Sequence, residues 1–161
     1  MASNVTQWIR ERFATAPAIY GLIVYVVLII ATSDDEPEAG FVLLWSVVAL
    51  VVFYIAHSFA EALGAHEQRR ISAAIRKGLV HSAGMLYAAI LPSIALIICA
   101  FLDVRGDDAA NWALLVGVVL LAYLGYQAMA DRGARVWARI LSAFLTALLG
   151  FIIMFIDYAV H

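Results

Sequence analysis

Five long apolar runs, at 16–32, 40–64, 78–102, 111–130 and 136–160, constrain this chain more than any other feature. A helix needs about 20 mostly apolar residues to cross roughly 30 Å of hydrocarbon. Four of the runs reach that length, and the first falls slightly short, with Pro17 where a helix start tolerates proline. The longest connection expected between runs, at 65–77, is too short for a separate soluble unit. The expectation is an all-α polytopic integral membrane protein with five transmembrane helices in a single domain, 1–161. Arg10 and Arg12 precede the first run, and Ala31, Thr32 and Ser33 offer small residues for cleavage. The run is nevertheless expected to be retained as a helix. Upstream, Val5, Trp8, Ile9 and Phe13 recur at helical spacing opposite Asn4, Gln7, Arg10 and Glu11, the pattern of a short interfacial helix.

Composition closes off the other classes. The chain is 65% apolar and 14% charged, against roughly 45–50% and about 25% in soluble domains. A net charge of −2 gives no basic surface for nucleic acid. The single cysteine, Cys99, excludes an internal disulfide framework and a Cys-rich zinc site. Gly-x-Ser-x-Gly, His-Glu-x-x-His, a phosphate-binding loop and a Thr-Val-Gly-Tyr-Gly filter are all missing, which points away from an enzyme of those types.

Orientation is expected from the basic residues. With the N-terminus inside, nine of the ten Lys and Arg residues fall on the cytoplasmic side: Arg10, Arg12, Arg69, Arg70, Arg76, Lys77, Arg132, Arg135 and Arg139. Only Arg105 is outside, and His161 ends outside. The excess of Arg over Lys suggests a G+C-rich bacterial genome, and a bacterial inner membrane is the expected location. The outer connections hold Asp34, Asp35, Glu36, Glu38, Asp103, Asp107 and Asp108, which either solvate the loops or concentrate cations. Ile71, Ala74 and Ile75, opposite Arg69, Arg70, Arg76 and Lys77, predict a short amphipathic helix, suited to gripping anionic lipid headgroups. Trp8, Trp45, Trp112 and Trp137 sit where tryptophan anchors helices at interfaces.

An ionisable residue inside a span is expensive and marks a candidate site. Tyr54, His57, Ser58 and Glu61 share one helix face, and His81 lies in the next run. If Gly64 and Gly78 both mark the inner boundary, Glu61 and His81 are level, each about 4.5 Å in, and His57 is roughly 10 Å in. The expectation is that the trio faces the interior or an inner vestibule, with Glu61–His81 the shorter contact. Three chemistries suit it. One is proton or ion handling, since histidine changes charge near neutrality. Another is ligation of a divalent metal by His57, Glu61 and His81, or of haem by the histidines. The third is structural, with Glu61 reaching Arg69 or Arg76 and the histidines bonding across helices.

The fifth run carries a second pattern. Arg135, Arg139, Ser142, Thr146, Gly150, Ile153 and Asp157 fall on one face over about 33 Å. Arg139, Ser142, Thr146 and Asp157, with Tyr54 and Gln127 from other runs, are candidates to line a path. Ser142, Thr146 and Gly150 equally form a small-residue seam of the kind that joins membrane helices. Pro92 in the third run suits either a kinked, packed helix or a hinge. Taken together, the residues suggest a small homo-oligomeric channel or transporter for a small ion, with proton coupling or gating at His57, Glu61 and His81. A metal- or haem-binding redox protein and a non-catalytic scaffold subunit are the alternatives.

Overall fold

The computed structural model describes residues 16–33, 38–64 and 71–160, with side chains in the last segment described over 72–155. It is all-helical: α1 (Ala16–Ser33), α2 (Ala39–Gly64), α3 (Ile71–Phe101), α4 (Gly106–Asp131) and α5 (Val136–Val160). All five helices are long and apolar enough to cross a membrane, with mean hydropathy between 1.9 and 2.5 in their most apolar stretches. The interfacial helix expected before residue 16 lies outside the described residues, as do Asp34, Asp35, Glu36, Arg69 and Arg70.

Two helices begin earlier than hydropathy suggests. The amphipathic helix expected ahead of Gly78 is helical from Ile71 but continuous with the span, because α3 starts at Ile71 and runs unbroken through Pro92. Ala74 is buried there, while Ile75, Arg76 and Lys77 are exposed. Charged residues end an apolar run without ending a helix. α4 starts at Gly106, and Asp107 and Asp108, expected in a loop, occupy its first turn. Carboxylates there face the unpaired N–H groups and positive end of the helix dipole.

The ends of α3 and α4 close in the same way. Beyond α4, Gly133 has φ +67°, its N–H donates to the Ala130 carbonyl at 3.0 Å, and the Ala134 N–H donates to Met129 at 3.1 Å. Beyond α3, Asp103 takes φ +49°, with N–H bonds from Asp103 to Ala100 at 3.4 Å and from Val104 to Cys99 at 3.0 Å. Both are paired closures around a left-handed residue. Asp103 does this despite carrying a Cβ, which short polar side chains tolerate best.

α1 is the centre of the bundle and packs against α2, α3 and α4. Its Leu22, Tyr25, Val26 and Ile29 are fully buried. α4 also packs on α3 and, less closely, on α2. α5 packs almost entirely on α4, leaving Trp137, Ile140, Phe144, Leu145, Phe151 and Phe155 exposed. Helix backbones come closest where glycine allows it. At Gly21 an added Cβ would stand 2.5 Å from the Met85 backbone, so α1 and α3 meet there with no room for a side chain. Toward the end of the bundle that carries Glu38, Asp103 and Asp107, the buried Tyr25 hydroxyl pairs with Ser93 at 2.7 Å. Ser46 lies 3.5 Å from the same hydroxyl and bonds the Val42 carbonyl at 2.7 Å.

Candidate functional site

His57, Glu61 and His81 converge on one carboxylate oxygen near the end of the bundle that carries Arg76, Lys77, Arg132 and Arg135. Glu61 Oε1 lies 3.7 Å from His81 Nε2 and 3.9 Å from His57 Nε2. Both separations exceed a hydrogen bond and suit an ion pair or a contact through one water. Among the described residues, the ion-pair partners of Glu61 are these two histidines, not Arg76.

The register of the trio differs from expectation. Gly78 does not mark the same level as Gly64, because α3 has already run seven residues when it reaches Gly78. Gly78 packs on Ser58 instead, where an added Cβ would stand 2.5 Å from the Ser58 carbonyl oxygen. His81 is three residues further along α3 and therefore opposite Ile55, about 9 Å deeper than Glu61 along the axis. The trio is not a flat layer. Contact survives the offset because the Cα–Cβ bonds of antiparallel helices tilt toward their own N-termini. Glu61 leans inward, His81 leans outward, and the long side chains meet between their levels.

The site is half open. The side chains of His57, Glu61 and His81 are 29%, 33% and 60% exposed, so the trio lies at a rim between helices and His81 faces outward more than an interior position would require. The Tyr20 ring of α1 flanks His57, with centroids 5.7 Å apart, and also meets Phe53 at 5.8 Å. Tyr54 ties α2 to α3, its hydroxyl donating to the Leu79 carbonyl at 2.8 Å. Next to the two histidines in sequence, Ser58 and Ser82 turn inward. They are 2% and 0% exposed, and neither hydroxyl has a hydrogen-bond partner among the described residues.

The metal alternative gains nothing from this geometry: among the described residues, no group of three or more His, Cys, Asp or Glu side chains is arranged to hold a metal ion. Nor does the α5 stripe bound an open path within the chain. Thr146 packs into Gly125, its hydroxyl within reach of three carbonyls that can accept its one proton: Leu121 and Ser142 at 2.9 Å and Ala143 at 3.0 Å. A Cβ at Gly150 would meet Val118 at 2.8 Å. The small residues of α5 therefore serve a packed seam with α4. Arg139 folds back to donate to the Ala134 carbonyl at 2.8 Å, and Gln127 donates to Tyr123 in its own helix at 2.9 Å, away from the Glu61–His81 contact. The side chain of Asp157 lies outside the described residues.

At the opposite end, a groove of about 380 Å³ opens between Glu38, Gly40, Ala100, Asp103 and Arg105. The backbones of Glu38 and Arg105 form an isolated bridge that joins the starts of α2 and α4. Arg105 pairs with Asp107 at 2.9 Å, which offsets part of the negative charge at this end.

Two features of the site, and a hydroxyl cluster toward the other end of the bundle, were not anticipated from the sequence. The pairing of Tyr20 with His57 joins residues far apart in the chain and left no local trace. The buried hydroxyls did leave one, since His-Ser occurs twice, at 57–58 and 81–82, once in each helix of the hairpin. Tyr25, a phenol in the middle of an apolar run, was a comparable signal for the hydroxyl cluster with Ser93 and Ser46. Comparison of the chain with protein-family models, with curated proteins and with solved structures gives no match.

Proposed function

We propose that this chain is a multi-pass membrane protein that moves a small ion, with protons coupled or gated at His57, Glu61 and His81. The observation that carries the reading is the convergence of two imidazoles, from neighbouring helices, on one carboxylate oxygen. Ionisable groups placed in apolar helices are costly and recur where ions or protons pass. Histidine is the side chain whose charge changes between about pH 5 and 8. A carboxylate between two imidazoles is held by whichever of them is charged, so it can change partner as a proton moves. Tyr20 flanks His57 from α1, Tyr54 bonds α2 to the Leu79 carbonyl of α3, and Arg76 and Lys77 stand about one turn before His81 on α3.

The basic residues favour a cytoplasmic N-terminus and place the trio toward the cytoplasmic side of a bacterial inner membrane. The α4–α5 seam is packed within the chain, so a route between copies of the chain is the arrangement this reading favours. Homo-oligomerisation follows from it.

The experiment is ion and proton flux into liposomes carrying the purified protein, measured from pH 5 to 8. Glu61→Gln is expected to flatten the pH dependence. His57→Ala is expected to lower flux more than His81→Ala, because His57 is the less exposed histidine and water replaces it less readily. Unchanged flux and pH profile in all three variants would leave the trio a structural cluster. A wild-type protein that passes no ion at any pH would remove the transport reading altogether.

A further inference from the structure

The two unpaired hydroxyls behind the trio carry a second consequence. Ser58 and Ser82 are buried, and neither finds a protein partner among the described residues. A buried hydroxyl without a partner costs free energy, so native proteins pair such groups with protein or with bound water. Their placement suits one shared guest. Gly78 packs on the Ser58 carbonyl, and Ser82 lies one turn further along the same face of α3. The two serines are thus about 6 Å apart along the helix axes. Ser58 leans toward the start of α2 and Ser82 toward the start of α3, and in an antiparallel pair those directions converge. The two hydroxyls do not bond each other, and a water between them would satisfy both.

We propose that Ser58 and Ser82 hold a water molecule between α2 and α3, immediately inside His57, Glu61 and His81, and that this water hands protons to and from the trio. The relay role rests on the transport reading above; the water site does not. In the relay the water accepts a proton from the imidazolium of one histidine and releases one of its own to the neutral imidazole of the other. One proton moves and the water is regenerated, with no oxidant or reductant required. His57 and His81 are the sequence neighbours of the two serines, so each helix contributes one rim imidazole and one inner hydroxyl.

A double-mutant cycle in the full-length protein tests the site without reference to transport. If a water bridges the pair, Ser58→Ala and Ser82→Ala each leave the opposite hydroxyl under-satisfied and lower Tm by about 2–4 °C. The double variant removes both polar groups and is expected to return to within about 1 °C of wild type. Additive shifts of either sign would overturn the site, because they would mean that each hydroxyl is settled independently. So would two single variants that both raise Tm, the signature of hydroxyls that nothing satisfies. Proton flux in liposomes then tests the relay: the double variant is expected to lose at least about tenfold. Strong coupling in Tm with unchanged flux in the double variant would overturn the relay and leave the water structural. Coupling in Tm in a protein that carries no proton flux would overturn the transport reading while the bound water stands.

Discussion

The α2–α3 and α4–α5 hairpins use the same device and reach opposite results. Each brings two helices together at a glycine, Gly78 against Ser58 and Gly125 against Thr146. At Gly125 the facing hydroxyl is satisfied, since Thr146 has carbonyl acceptors for its proton on both helices. At Gly78 the nearby hydroxyls of Ser58 and Ser82 have no partner among the described residues, and three titratable side chains gather at the rim. One crossing spends its polar atoms on packing, while the other keeps them available beside ionisable groups. Close approach alone therefore does not mark a site. What separates the two crossings is whether the polar groups brought together satisfy one another.

The largest expected effect breaks the satisfied crossing. Gly125→Val would drive a side chain into Thr146 and the Ser142 carbonyl, the latter 2.9 Å from an added Cβ, and a backbone carbonyl cannot swing aside. A loss of about 3 kcal/mol is expected in unfolding of the purified protein. A wild-type midpoint would show that α5 is held elsewhere.

The corresponding change on the other hairpin is milder. Gly78→Ala places a methyl 2.5 Å from the Ser58 carbonyl oxygen but gains helix propensity, for a net loss of about 1–2 kcal/mol. It also pushes α2 from α3, so the side-chain nitrogen resonances of His81 should move by NMR. Lost stability with unmoved resonances would separate the glycine crossing from the Glu61–His81 contact.

Thr146→Val keeps the volume and deletes the hydroxyl. Loss of the cross-helix bond to Leu121 is expected to lower stability by about 1 kcal/mol. Full stability in this variant would show that the polar pairing at this crossing contributes nothing, and the contrast with Ser58 and Ser82 would lose its basis.

The smallest effect is the control. Nothing lies within 4 Å of a Cβ added at Gly40. Gly40→Ala is expected to leave stability unchanged or raise it by no more than about 1 kcal/mol. A clear loss there would mean that replacing a glycine in this chain is costly for reasons other than close approach.

The five helices were legible in the residues because hydropathy is additive along a chain and needs no partner to be read. Their starts were less legible. Arg76 and Lys77 closed an apolar run, yet the helix through them continues back to Ile71, since exposed charges are compatible with helical backbone. That small error propagated into the site. Aligning Gly64 with Gly78 put Glu61 and His81 at one level, whereas the true register, set by Gly78 against Ser58, offsets them by about 9 Å. Their membership of one cluster survived, because leaning side chains span the offset. The small stripe of α5 shows the other limit. Ser142, Thr146 and Gly150 had the spacing of either a path or a seam, and one helix face cannot distinguish water from a packed neighbour. Gly125 and Val118, on the facing helix, made it a seam. Residue type and period thus established the elements and the polar groups worth watching. Which of those groups pair, and which are left open, depends on the register and rotation of one helix against another, and those are settled only when the side chains of both helices are packed together.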